Sequence, residues 1–158
     1  MYLSKTCTIN NASAVLFRTA KLAQHNMVDV SFRYTGDWLV YIKLAMIGKI
    51  AYKAACLSNY RDHANNSSKN SFGNSAQLFE RQKCFAFAYK SKMLSAKALQ
   101  EMTALASTEF VALIYNLLKR SWRPRMLVGY IKEIAKVSTA FYLLIQKNAF
   151  SNIVKREY

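Results

Sequence analysis

The sequence predicts an all-α, single-domain bundle of about four to five helices, and three features lead there. Hydrophobic residues make up 53% of the 158, enough for a real core. Four Gly and one Pro are too few turn-formers for a chain of many short strands. Residues 74–123 hold neither Gly nor Pro, so nothing there breaks a helical hydrogen-bond ladder, and a long central helix is expected over about 76–121.

With each residue turning about 100°, that helix gathers one apolar stripe: Leu78, Phe85, Tyr89, Ala96, Leu99, Met102, Ala106, Phe110, Leu113 and Leu117. Lys83, Lys90 and Lys97 fall opposite it, one heptad apart, with Glu101 beside them. Phe87, Leu94 and Leu105 lie among those lysines, where a plain solvated face has no use for them. The lysines are therefore candidates for nucleic-acid or anion binding, and the three apolar residues for a partner interface. A bend is expected near residues 104–108.

Before the central helix, residues 1–28 contain no acid, and Ala12, Val15, Leu16, Leu22 and Ala23 make a helical stripe with Arg18, Lys21 and His25 on another side. Such a segment has the composition of a mitochondrial targeting sequence; an ordinary first helix of the domain is the reading adopted. Residues 28–34 alternate loosely and suit a short extended connection. Thr35-Gly36-Asp37 then supplies a breaker and an N-cap for a helix over 38–57. Lys43, Lys49 and Lys53 occupy about a third of its circumference. The rest is apolar, so this helix is expected in the core or against a partner, with Trp38 and Tyr41 at the interface. Gly48 inside it costs up to about 1 kcal/mol relative to Ala, as a close helix crossing would explain. Asn and Ser then dominate residues 58–75, the one long loop, expected to be a flexible connector.

Beyond the central helix, residues 119–125 read Lys-Arg-Ser-Trp-Arg-Pro-Arg. Cations there suit a helix C-terminus, and Pro124 stops the helix before it. Lys119, Arg120, Arg123 and Arg125 can pair with phosphate while Trp122 stacks on a base or sits at a lipid interface. A last helix over about 126–150 has Tyr130, Ile131, Ile134, Val137, Phe141 and Ile145 on its apolar side. Lys132, Lys136, Thr139 and Gln146 are on its polar side, and residues 151–158 are expected to fray.

Lys and Arg total 23 against 8 Asp and Glu, a formal charge of +15, and this self-repulsion points to a polyanionic partner. Cys7, Cys56 and Cys84 are odd in number and in no C-x-x-C pair, which suggests buried free thiols in a reducing intracellular compartment, cytoplasmic or mitochondrial. The sequons at Asn11, Asn65 and Asn66 are read as loop or cap residues. The longest charge-free run, residues 6–17, is short of the ~20 residues of a spanning helix.

No catalytic, metal or cofactor site is expected. His25 and His63 have no metal-ligand spacing, and Asp62-His63 comes with no nucleophile motif. Phosphate-cradling glycine motifs are absent. The expected function is a non-enzymatic basic subunit of a larger assembly that binds nucleic acid, RNA or DNA, through its backbone phosphates. Neighbouring protein subunits are its other partners, and no small-molecule substrate is expected. The alternative is an accessory, structural subunit of a membrane-bound complex, mitochondrial inner-membrane in type, meeting anionic lipid through its basic residues.

Overall fold

The computed structural model describes residues 7–9, 12–24, 27–59, 74–121 and 124–154. All regular structure among them is helical, as the composition requires. The helices are α1 (Thr19–Gln24), α2 (Gly36–Ile47), α3 (Ser75–Lys90), α4 (Ala96–Ser121), α5 (Pro124–Val137) and α6 (Thr139–Val154). A single 3-10 turn at Ala12–Ala14 precedes them.

The bundle proper is α3 to α6, with α2 laid against α3. Its first pair is an antiparallel hairpin: Leu78 meets Leu113 and Leu117 in one apolar cluster, and Gln82 Nε2 donates to the Ala106 carbonyl at 3.0 Å. The expected stripe does form this core. Leu78, Phe85, Met102, Ala106, Phe110, Leu113 and Leu117 are buried, and Ile134, Phe141 and Ile145 close over them. Only Ala96 falls outside, exposed in the first turn of α4.

The long helix over 76–121 is two helices. Serines divide it in place of the missing Gly and Pro. Ser91 Oγ donates to the Ala88 carbonyl at 2.6 Å and accepts from the Met93 amide at 3.3 Å, while Ser95 Oγ caps α4 by accepting from the Ala98 amide at 3.3 Å. Lys92 completes the turn in the left-handed region, at φ 56°. The expected bend at 104–108 is not a break: α4 runs through it, with Ser107 and Thr108 hydroxyls bonded back to the Thr103 and Ala104 carbonyls. Ser138 likewise divides the expected last helix, accepting from the Phe141 amide at 3.2 Å to cap α6. Residues 151–154, expected to fray, continue α6, and 155–158 lie outside the described residues.

Two other expectations need correction. The helix begun at Gly36 ends at Ile47, not at 57; Gly48 turns extended, at φ −151°, and residues 49–57 are exposed and non-helical. A Cβ at Gly48 would meet only the Leu44 carbonyl at 3.5 Å, so no close crossing explains the glycine. The first helix is reduced to six residues, and of the Ala12–Ala23 stripe only Val15 and Leu22 are half-buried while Leu16 is fully exposed. Residues 60–73 of the polar loop, His25, His63, Asp62 and the sequon asparagines lie outside the described residues. Asn74 closes that loop by capping α3, accepting from the Gln77 amide at 2.7 Å.

Candidate anion-binding surface

Two acids hold the fold together. Glu80, buried on α3, accepts from three consecutive amides leading into α2: Arg33 at 2.7 Å, Tyr34 at 2.8 Å and Thr35 at 2.8 Å. Thr35 Oγ1 adds a fourth bond at 3.3 Å. A carboxylate among backbone donors is stabilised by charge-assisted bonds, so this acid anchors a loop. Glu109 of α4 takes a bidentate pair from Arg81 of α3, Nε to Oε2 at 2.8 Å and Nη2 to Oε1 at 2.6 Å. The same guanidinium lies 5.0 Å from the Trp38 ring centroid and 5.8 Å from that of Phe85. Glu133 pairs with Lys136, and Asp29 accepts from the Ser31 amide at 2.9 Å. Asp37 is exposed and accepts from the Trp38 amide at 2.7 Å, and the Glu133 side chain is 45% exposed.

Lys90 at the end of α3, Lys92 in the tight turn and Lys97 in the first turn of α4 are all exposed. At the far end of α4, Lys119 is exposed, with its ammonium 2.6 Å from the Tyr115 hydroxyl and 5.1 Å from that ring. Arg120 belongs to the last turn of α4, and Arg125 is exposed in the first turn of α5. Trp122 and Arg123 lie outside the described residues.

Lys97 and Lys119 are 22 residues apart, which puts them about 33 Å apart along α4 and within about 40° around it. Between them the exposed positions are Gln100, Ala104, Thr108, Ala112, Tyr115 and Leu118, all uncharged, and the one acid on this side is half-buried Glu101, a turn beyond Lys97.

The structure revises the expected lysine track. Lys83 and Lys97 do not share a face, because they belong to different helices. Lys83 is half-buried: its ammonium sits 4.4 Å from the Phe32 ring centroid and 3.3 Å from Ser31 Oγ. Lys92, which the sequence reading passed over, takes its place beside Lys90; three lysines within eight residues holding no acid were the available signal.

Of the five residues expected at a partner interface, two are buried. Trp38 is 1% exposed and Tyr41 4%; Trp38 meets Phe85 edge-on at 5.3 Å and Tyr41 stacks on Phe17 at 6.1 Å. Phe87, Leu94 and Leu105 are half-buried and pack against this chain's own core. Trp38 and Tyr41 are thus covered by the chain itself, while Phe87, Leu94 and Leu105 each keep part of their surface exposed.

The thiols differ from one another. Cys84 is buried, and loss of solvation pushes its thiol up to about 12, with the Thr35 hydrogen bond opposing. Cys7 is half-buried and donates to the Ile9 carbonyl, whereas Cys56 is exposed, contrary to the buried state expected of all three. Among the described residues no group of His, Cys, Asp and Glu has the arrangement of a metal site, and no helix is long and apolar enough to cross a membrane. No family model, no curated protein and no solved structure matches this chain.

Proposed function

We propose that this chain is a non-enzymatic, basic helical subunit of a larger assembly, and that it binds nucleic acid through backbone phosphates along the exposed side of α4. One observation carries the reading: lysines stand exposed at both ends of that helix, while Glu80 and Glu109 are bound within the fold to backbone amides and Arg81. The rise of about 33 Å between Lys97 and Lys119 is close to one turn of B-form duplex, about 34 Å. A rigid helix charged at both ends can then touch phosphates a turn apart without reading bases, which makes binding sequence-independent and salt-dependent.

Two comparisons test this. A 12-base-pair duplex is long enough to reach both ends of α4 and a 6-base-pair duplex is not, so the longer should bind more tightly per base pair. Replacing Lys90, Lys92 and Lys97 together by Gln should flatten the plot of log K against log salt by about 2.7, at 0.9 per phosphate contact. An unchanged slope removes this turn from the interface.

A membrane-complex role is the second reading, and one observation favours it. Ile50 (62% exposed), Tyr52 (89%) and Leu57 (80%) stand uncovered beside Lys49 and Lys53. Apolar and cationic side chains mixed in this way suit an anionic bilayer surface. Binding to anionic vesicles that survives high salt would support it.

A further inference from the structure

On the other side of α3, the loop before α2 closes a small open-mouthed pocket of about 130 Å³, lined by Asp29, Phe32, Leu39, Lys43, Lys83 and Phe87. Two ammonium groups reach it from different helices. Lys43 donates to the Met27 carbonyl at 3.1 Å and lies 5.8 Å from the Phe87 centroid. Lys83 donates to Ser31 Oγ and lies against Phe32. An ammonium carries three donors, so each keeps N–H groups beyond these bonds. The carboxyl of Asp29 is held below its usual range first by the Ser31 hydrogen bonds, and further by Lys83 and Lys43, which places both cations within electrostatic reach of it.

We propose that this pocket seats one phosphodiester group. The charge of the lining selects the ligand: two lysines and one aspartate leave +1, which a monoanionic diester neutralises and a dianionic monoester overshoots. Size agrees. At about 30 Å³ per water, 130 Å³ holds about four waters, room for a phosphoryl group and far below the ~300–1,000 Å³ of a whole-ligand site. The group therefore belongs to a larger molecule that continues outside the pocket. The source favoured over a lipid headgroup is a nucleic-acid strand, whose repeating unit is a phosphodiester; this choice rests on the proposed nucleic-acid role, since Lys83 and Lys43 already lie over the Phe32 and Phe87 rings. The seat is formed by α2, α3 and the preceding loop, so it stands or falls separately from the α4 face.

The probes are dimethyl phosphate, methyl phosphate at pH 8 and the dinucleotide TpT, titrated into the full chain while the Ser31, Phe32 and Lys83 amide resonances are followed. The wild-type chain should prefer dimethyl phosphate to methyl phosphate and bind TpT more tightly than either. Lys43→Met and Lys83→Met keep the apolar stems and should each weaken dimethyl phosphate about tenfold. Asp29→Asn raises the lining to +2 and should reverse the preference in favour of the dianion. Unmoved resonances at saturating probe, or a preference that Asp29→Asn leaves unchanged, overturn the seat. Binding of phosphatidylglycerol vesicles through Lys43 and Lys83, with none of TpT, overturns the nucleic-acid source. If TpT fills the pocket and duplexes ignore the α4 lysines, the seat holds and the α4 reading fails.

Discussion

Replacing Glu80 by alanine would remove the acceptor of three consecutive amides, those of Arg33, Tyr34 and Thr35, together with that of the Thr35 hydroxyl. The three amides differ in what they lose. Arg33 is exposed and its N–H can turn to water; Tyr34 is half-buried, and Thr35 is buried under the start of α2. A hydrogen bond to a charged acceptor contributes ~1.5–3 kcal/mol, so losing those of Tyr34 and Thr35 should cost about 3–6 kcal/mol. That is a large part of the ~5–15 kcal/mol that holds a domain folded. Glu80→Gln keeps one oxygen, which can face Tyr34 and Thr35 while the NH2 turns toward Arg33. It loses charge assistance and one bond, about 1–2 kcal/mol. Urea unfolding followed by circular dichroism at 222 nm measures both variants, and the Gln variant remains readable if the Ala variant does not fold. Glu80→Ala within about 0.5 kcal/mol of wild type, or Gln as harmful as Ala, would refute the anchoring role.

Arg81→Lys should cost about 1 kcal/mol or more in the same assay, because an ammonium cannot reproduce the fork on Glu109 while its charge stays over the Trp38 ring. Under native conditions a chromogenic disulfide reagent should modify Cys56 first, Cys7 more slowly, and Cys84 only after denaturant is added. The raised Cys84 thiol also sets an alkaline limb: the unfolded chain ionises from about pH 9, the folded one only near 12. Stability from this thiol is therefore intact below pH 9 and falls by about 1.4 kcal/mol per pH unit above it, a loss that Cys84→Ala should lack when compared with wild type. Lys92→Gly should stabilise the chain by about 1 kcal/mol by relieving the left-handed backbone, while lowering the duplex salt slope by about 0.9.

How much of this was legible in the sequence depended on the kind of signal. The core stripe from Leu78 to Leu117 was readable because a five-residue turn keeps both helices facing the same interior, so periodicity survived the break. The break itself was hidden: a search for Gly and Pro overlooks Ser91, Ser95 and Ser138, whose hydroxyls compete for backbone groups as effectively as a breaker. The helix over 38–57 was overextended because 49–57 has the residues of a helix but no surface to cover it, and composition carries no information on cover. The outward lysines near 90–97 and 119–125 could be read as charge runs. The Lys43–Lys83 pocket could not, since it joins residues 40 apart through a loop whose path is set by Glu80 of another helix.

The phosphate-binding role is tested most directly by the affinity of the wild-type chain for a random 12-base-pair duplex across a salt series, with anionic vesicles in parallel. Lys90, Lys92, Lys97, Lys119 and Arg125 are the five exposed cations described at the two ends of α4. At 0.9 per phosphate they give a slope of about −4.5. A slope of that size or steeper, with weak vesicle binding that salt abolishes, is the expected result. A slope near zero, or vesicle binding that persists in high salt while the duplex does not bind, would contradict it.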